Sequence, residues 1–266
     1  MNKYKIEELS LKRIFKGVQR RIINIPHKFA WVFSQAAKDN RNKLKRFYNI
    51  HSGERCFLIA NGPSLTNTNI NLLANEITFG LNRIYLNYPN MEFTPNYLVC
   101  INKLVLNQFA NDFHNEKMPK FFNWESRNIY KNDNDIYFVG NGLNSIKFSK
   151  DISKSLTPAA TVTYAALQII FYMGFKEVII IGMDHSFQFK GKPNEAQKRN
   201  EERDINHFAP NYFPKGSKWE TPDIVATEYF YRIAKQEFEM DERFIYDATI
   251  NGKCTIFEKR DLESFF

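Results

Sequence analysis

Apolar stretches of strand length alternate with helix-length segments along residues 53–266. The strand candidates are residues 56–60, 76–82, 96–102, 120–124, 136–139, 177–186 and 244–247. One helix is predicted over residues 161–173, and a longer one begins with Thr221 as N-cap and Pro222 in its first turn. Near-continuous apolar runs are typical of parallel strands buried on both faces. The pattern therefore predicts an α/β, Rossmann-like domain, with a mostly parallel sheet and helices on both faces.

Residues 1–52 follow a different pattern, in which apolar positions alternate with lysine and arginine, most clearly over residues 9–35. This pattern predicts a basic amphipathic helical arm that is broken near Pro26. Two interpretations stay open. The arm either lies on an anionic membrane surface through residues 1–50, or packs on the domain or on a second subunit of a homo-oligomer.

The charge distribution supports this division into an arm and a domain. Residues 1–50 carry 13 Lys/Arg and three acids, so their net charge of +10 leaves −2 for the other 216 residues of a chain whose total is +8. A basic nucleic-acid-binding core is thereby excluded, and we expect no nucleic-acid partner. No apolar run reaches the ~18 residues of a membrane-spanning helix, which predicts a cytoplasmic protein, at the inner face of the membrane if the arm binds lipid.

Polar side chains follow several of the predicted strands directly. Asn61 and Gly62, with Ser64 just beyond, follow the first strand, while Asn82 and Asn102 end the next two. Strand ends of one parallel sheet meet in one crevice, where Gly62 would let the backbone approach a phosphate. Asparagine offers both donors and an acceptor without fixed charge, so these residues are predicted to bind a base, a ribose or a phosphate.

Three further residues are candidates for proton transfer. Asp184 and His185 end the strand predicted over residues 177–186, and His207 lies in the polar loop beyond it. His207 could act as a general base, whereas His185 either does so or holds Asp184 in place. Asp184 either binds a cation or makes structural hydrogen bonds. Residues 189–204 are predicted to form a mobile lid, with a solvated loop as the alternative.

Several common nucleotide-binding and catalytic motifs are missing from the chain. It has no lysine-bearing phosphate loop, no G-x-G-x-x-G fingerprint and no nucleophile elbow around Ser64. The three cysteines are far apart, which predicts buried thiols, with no structural metal and no disulfide framework.

The stretches 59–65 (IANGPSL), 79–85 (FGLNRIY) and 161–186 resemble the MptE-like family over about residues 53–250. This family includes the central domain of motility-associated flagellin glycosyltransferases and is related to small bacterial CMP-sialic acid sialyltransferases. The resemblance implies a Rossmann-like fold that binds CMP-activated nine-carbon sugars. The archaeal branch instead transfers diphosphate from ATP to a hydroxymethylpterin.

The resemblance also implies roles for individual residues. Asn61 and Gly62 match the donor-phosphate turn, Asn82 the asparagine of the second strand, and Asn102 an asparagine that contacts the nucleotide. Residues 161–163, with Thr161 and Thr163, fall where the sialyltransferases bind the donor at a helix start. Two positions depart from that pattern: Ser186 replaces a tyrosine, and Lys218 aligns with the catalytic histidine.

These features together predict an inverting glycosyltransferase. It would move a nonulosonic acid of sialic, pseudaminic or legionaminic type from a CMP-activated sugar to a cell-surface polysaccharide or lipid-linked glycan acceptor. Such a reaction requires no metal and no other cofactor. Two alternatives stay open: a hydroxymethylpterin-type diphosphokinase that uses ATP and Mg²⁺, and a non-catalytic nucleotide-sugar-binding module.

Overall fold

The computed structural model describes residues 24–131, 133–141 and 147–266. Its main feature is an eight-stranded sheet, formed by β1 (Arg55–Ile59), β2 (Thr78–Leu81), β3 (Tyr97–Cys100), β4 (Lys120–Asn123), β5 (Ile136–Val139), β6 (Glu177–Ile181), β9 (Phe244–Asp247) and β10 (Glu258–Lys259). The strand order is β10-β9-β6-β1-β2-β3-β4-β5, and every neighbouring pair is parallel. The predicted α/β, Rossmann-like fold is confirmed.

The strand order reverses beside β1. Strands β1 to β5 follow one another toward one edge, whereas β6 pairs with the opposite side of β1 and leads to β9 and β10. Ligands of open α/β sheets bind outside the carboxyl ends of the strands at such a reversal. The fold therefore places a crevice between the ends of β1 and β6.

Helices cover both faces of the sheet. α5 (Val162–Met173) and α6 (Ile224–Glu239) pack on one face, and α3 (Lys103–Gln108) and α4 (Ala110–Asn115) lie on the other. Side chains alternate along β1, so that Leu58 joins the core under α5 while Phe57 and Ile59 join the opposite core. Nearly the whole surface of α5 is buried, and it ends at Gly174 in the left-handed conformation.

The N-terminal segment is helical over residues 24–33 (α1) and again in α2 (Gln35–Leu44). Trp31 is only 1% exposed, stacks edge-on against Trp124 and donates from Nε1 to the carbonyl of Lys154 at 2.9 Å. The described part of the predicted arm thus packs on the domain. Residues 1–23, which carry much of the basic amphipathic pattern, lie outside the described residues. None of the described helices is long and apolar enough to cross a bilayer.

A small antiparallel hairpin, β7 (Ala196–Lys198) and β8 (Lys218–Glu220), lies within residues 186–223. The side chain of Gln108 on α3 holds it, because Oε1 accepts from the Lys218 amide at 2.7 Å and Nε2 donates to the Lys218 carbonyl at 2.8 Å. The segment predicted as a lid thus includes a strand.

The predicted start of the last long helix was wrong by two residues. Asp223 is the N-cap of α6 and accepts from the Ala226 amide. Thr221 instead donates from its hydroxyl to the carbonyl of Lys192, which ties it to the loop before β7.

Candidate active site

A cavity of about 450 Å³ lies at the carboxyl ends of β1, β2, β3 and β6. The start of α5 and the loops around the β7–β8 hairpin complete its wall. All sequence-predicted site residues except Ser64 line this cavity: Asn61, Gly62, Asn82, Asn102, Thr161, Thr163, Asp184, His185 and His207. The fold thus brings together residues that are up to 146 positions apart in the chain.

The turn after β1 is locked to the end of β6. The Gly62 amide donates to the Gly182 carbonyl at 2.7 Å, and the Asp184 carboxylate accepts from the Ser64 amide at 3.0 Å and from its hydroxyl at 2.6 Å. A Cβ on residue 62 would lie 1.8 Å from Asp184 Oδ2, so only glycine fits. Asp184 therefore makes the hydrogen bonds of a structural anchor, and its partner is Ser64 rather than His185.

Two asparagine oxygens at adjacent strand ends have no hydrogen-bond partner among the described residues. Asn61 donates from Nδ2 to the Leu81 carbonyl at 3.0 Å, but its Oδ1 is buried and unpartnered, as is Oδ1 of Asn82. Because a buried acceptor without a partner is unfavourable, both oxygens are suited to accept from a ligand. Asn102 differs, since its Oδ1 caps α3 by accepting from the Leu104 amide at 2.9 Å.

The amino end of α5 forms another part of the wall. Thr161 is its N-cap and accepts from the Thr163 amide at 3.3 Å, and residues 158–163 line the cavity. Tyr231 also lines the cavity, and burial raises the pKa of this tyrosine to about 12. The first amides of a helix lack intrahelical partners and carry partial positive charge, which suits an anionic group.

His207 is oriented by a buried carboxylate. Its Nδ1 lies 3.0 Å from Oδ2 of Asp204. The Asp204 carboxylate also accepts two backbone hydrogen bonds, from the Asn206 amide at Oδ1 and from the Phe213 amide at Oδ2. Burial acts to raise the pKa of Asp204, but the hydrogen bond and charge of His207, the Asn206 amide and the charge of Arg199 outweigh it, and the pKa is lowered. The carboxylate therefore stays ionised and holds Nδ1 of His207, while Nε2 has no partner in the described part of the chain.

An aromatic side chain fixes the plane of the same imidazole. The ring of Tyr212 is parallel to that of His207, with centroids 3.9 Å apart. Arg83, directly after Asn82, binds both ends of this tyrosine: its amide donates to the Tyr212 hydroxyl at 3.3 Å and its guanidinium donates to the Tyr212 carbonyl. The sequence analysis did not identify Arg83, Asp204 or Tyr212. The clustering of aromatic residues at positions 207–213 could have indicated Tyr212, whereas no local signal in the sequence marks Arg83 or Asp204.

A second histidine–carboxylate pair lies on the α6 side of the cavity. His185 adopts the left-handed conformation, with φ +55°, and its Nε2 is 3.3 Å from Oε1 of Glu228. Glu228 also accepts from Arg232 at 3.2 Å. His185 is thus held by an acid on α6 that the sequence did not indicate.

Few full charges line the cavity. Within the described ranges the lining has one lysine, Lys103, and no arginine, and its carboxylates are Asp184, Glu220 and Asp223. No group of three or more His, Cys, Asp or Glu side chains in those ranges is placed to share a metal ion. Ser186 belongs to the lining, whereas Lys218 does not.

Comparison with known proteins shows which proteins this chain is similar to. The family model described as "6-hydroxymethylpterin diphosphokinase MptE-like" matches residues 32–190. The solved structure of a MAf glycosyltransferase from Magnetospirillum magneticum AMB-1 is similar with a TM-score of 0.50 and 14% sequence identity, over 86% of this chain and 38% of that one. This chain thus corresponds to well under half of that protein. No curated protein matches the sequence.

Proposed function

The chain belongs to the MptE-like family, and from that premise we propose that it is an inverting glycosyltransferase that uses a CMP-activated nonulosonic acid as donor. The acceptor is a hydroxyl group of a cell-surface polysaccharide or of a lipid-linked glycan. The MAf glycosyltransferase with a similar fold supports the reaction class, and the chemistry of the cavity supports the donor.

The observation that carries the proposal is the pair of unpartnered amide oxygens beside one helix start, in a lining with a single cation over the described ranges. Unpartnered amide oxygens of Asn61 and Asn82 suit the hydroxyl and amino groups of a nucleoside or sugar. The amino end of α5 suits a single phosphate. A triphosphate usually meets several cations, whereas Lys103 is the one Lys or Arg in the lining over the described ranges. The cavity volume of about 450 Å³ lies within the range of small-molecule sites.

The proposed reaction is a direct displacement. The CMP donor is held by the strand ends and the start of α5, through Asn61, Gly62, Asn82, Asn102 and the Thr161–Thr163 helix start. Nε2 of His207 accepts the proton of the acceptor hydroxyl, whose oxygen attacks the anomeric carbon. The bond from that carbon to the phosphate oxygen breaks, CMP leaves with the electron pair, and the configuration inverts. Asp204 stabilises the imidazolium that forms.

The experiment is a binding comparison, by calorimetry or thermal shift, of CMP with CDP, UDP, GDP and ATP, each with and without Mg²⁺. A metal-independent preference for CMP is expected. A preference for ATP that depends on Mg²⁺ would contradict the proposal and favour the diphosphokinase that the family description names.

Two variants separate donor binding from chemistry. Asn61→Ala is expected to weaken CMP binding about tenfold, because a ligand loses one buried hydrogen-bond partner. His207→Ala is expected to bind CMP normally and to lose at least ~100-fold in transfer to an acceptor. Full turnover by His207→Ala would rule out this histidine as the base. An intact CMP-sugar after long incubation of the wild-type protein with plausible acceptors would instead indicate a non-catalytic binding module.

A further inference from the structure

An exposed apolar stripe follows one side of α1. Ile25, Phe29 and Phe33 are spaced four residues apart and are 46%, 54% and 72% exposed, and the rings of the two phenylalanines stack with centroids 5.8 Å apart. The opposite side of the same helix is anchored, because Trp31 is buried against Trp124. The helix is therefore fixed in an orientation that presents these apolar side chains outward.

The stripe lies in a strongly basic part of the chain. Residues 24–50 contain six Lys/Arg and one acid, Asp39. Four of these cations are exposed: Lys38, Lys43, Lys45 and Arg46. A second copy of this chain is a poor occupant for the stripe, because two copies would bring like charges together. An exposed apolar stripe in a segment that also carries exposed cations instead matches a bilayer surface with anionic headgroups.

The helix that carries the stripe lies at the carboxyl ends of the strands, as the cavity does. Trp124 and Gly140 directly follow the carboxyl ends of β4 and β5, and Trp31 contacts both. Because all eight strands are parallel, the carboxyl ends of β4 and β5 lie on the same side of the molecule as the cavity. Lys103 of the cavity wall forms an ion pair at 3.7 Å with Glu125, the residue after Trp124.

We propose that Ile25, Phe29 and Phe33 form the docking surface of a peripheral membrane protein, and that they insert into an anionic bilayer with the cavity beside the lipid surface. This goes beyond the proposed glycosyltransferase activity, and a donor of another kind would leave it unchanged. For that activity it selects one of the two acceptor classes, a lipid-linked glycan, because such an acceptor is held at the surface on which the cavity would lie.

The test is co-sedimentation of the full chain with vesicles of phosphatidylcholine alone and of phosphatidylcholine mixed with phosphatidylglycerol. Binding to the mixed vesicles only, weakened by salt, is expected. The double variant Phe29→Ser/Phe33→Ser should bind at least about tenfold more weakly, because two aromatic side chains no longer enter the interface. The matched control is Val225→Ser/Tyr229→Ser on α6, an equally spaced pair that is 64% and 56% exposed, and it should bind like the wild type.

Three results would overturn the proposal. The first is that the wild type does not bind anionic vesicles. The second is that the Phe29/Phe33 variant binds them as tightly as the control variant does. The third is that light scattering shows a dimeric wild type and a monomeric Phe29/Phe33 variant, which would make the stripe a protein–protein interface. Circular dichroism and CMP binding of both variants show whether the fold and the cavity are intact. Failure of the docking surface is thereby distinguished from failure of the proposed activity.

Discussion

At the scale of single residues, His207 is held by contacts to two neighbouring side chains. Asp204 binds its Nδ1 and the ring of Tyr212 covers one face. The loop that carries it is in turn tied to the first strand, since the Phe208 amide donates to the Asn61 carbonyl at 3.0 Å. An imidazole that is held in this way loses little entropy when it meets a substrate, which is what a general base requires.

The lowered pKa of Asp204 gives a pH-dependent prediction for stability. An acid whose pKa is lower in the folded than in the unfolded state stabilises the fold above its unfolded pKa, about 4, and this contribution is lost as the pH falls through the folded value. Asp204→Asn should therefore lower the free energy of unfolding at neutral pH by about 1–3 kcal/mol. Urea unfolding of both proteins from neutral pH to about pH 3 should show this difference shrinking below about pH 4. A difference that stays constant would contradict the assignment.

The stack on Tyr212 gives a prediction for catalysis. Tyr212→Leu removes the aromatic face beside His207 and should lower kcat roughly 10- to 100-fold, because a misplaced base reaches the hydroxyl less often. The KM for the CMP-sugar should change little, since Tyr212 is not among the residues proposed to bind it. Tyr212→Phe keeps the stack and should retain most of the activity. Equal kcat values for the leucine and phenylalanine variants would show that the stack does not position His207.

At the scale of elements, the turn after β1 depends on one glycine. The Cβ of Gly62→Ala would meet Asp184 Oδ2 at 1.8 Å and the Gly182 carbonyl at 2.7 Å, so the turn must move away from β6. We expect a loss of about 1–3 kcal/mol in stability, and CMP affinity should fall at least about tenfold, measured by calorimetry. The control is Ser64→Ala, which loses one hydrogen bond to Asp184 without a clash and should cost about 1 kcal/mol. If both variants bind CMP equally, the turn does not contribute to the site.

The sequence predicted the elements that the local pattern of apolar and polar residues determines. It did not predict the features that depend on contacts between residues far apart in the chain. The buried strands were identified because their apolar runs are uninterrupted, and their polar ends indicated the crevice. The start of α6 was placed two residues early, because the hydroxyl of Thr221 bonds to the loop at Lys192 and Asp223 takes over as the cap. The partners of His185 and Asp184 were also unpredictable, since Glu228 and Ser64 are 43 and 120 positions away.

At the scale of the whole molecule, residues 24–47 belong to the same structural unit as the sheet. Ala37, Leu44 and Phe47 are buried in the core cluster that also contains β1 and α5. Asn40 binds β5 through both atoms of its side-chain amide: Oδ1 accepts from the Phe138 amide, and Nδ2 donates to the Phe138 carbonyl. The sequence left the arm with two interpretations, because a helix with one apolar and one basic side fits a membrane and a protein core equally well. In the structure Trp31 is buried in the core, whereas Phe33 on the same helix is 72% exposed.

This difference in burial can be measured by comparing the stability lost when each of the two aromatic residues is replaced by alanine. Trp31→Ala should lower the free energy of unfolding by about 3–5 kcal/mol, because it empties a fully buried site against Trp124 and Gly140. For a chain of this size that corresponds to a fall in Tm of roughly 10 °C. Phe33→Ala, at a position that is 72% exposed, should stay within about 0.5 kcal/mol of the wild type. If both variants unfold like the wild type, the segment is not part of the core. If both variants are strongly destabilised, the apolar stripe is covered by protein, and its insertion into a membrane is ruled out.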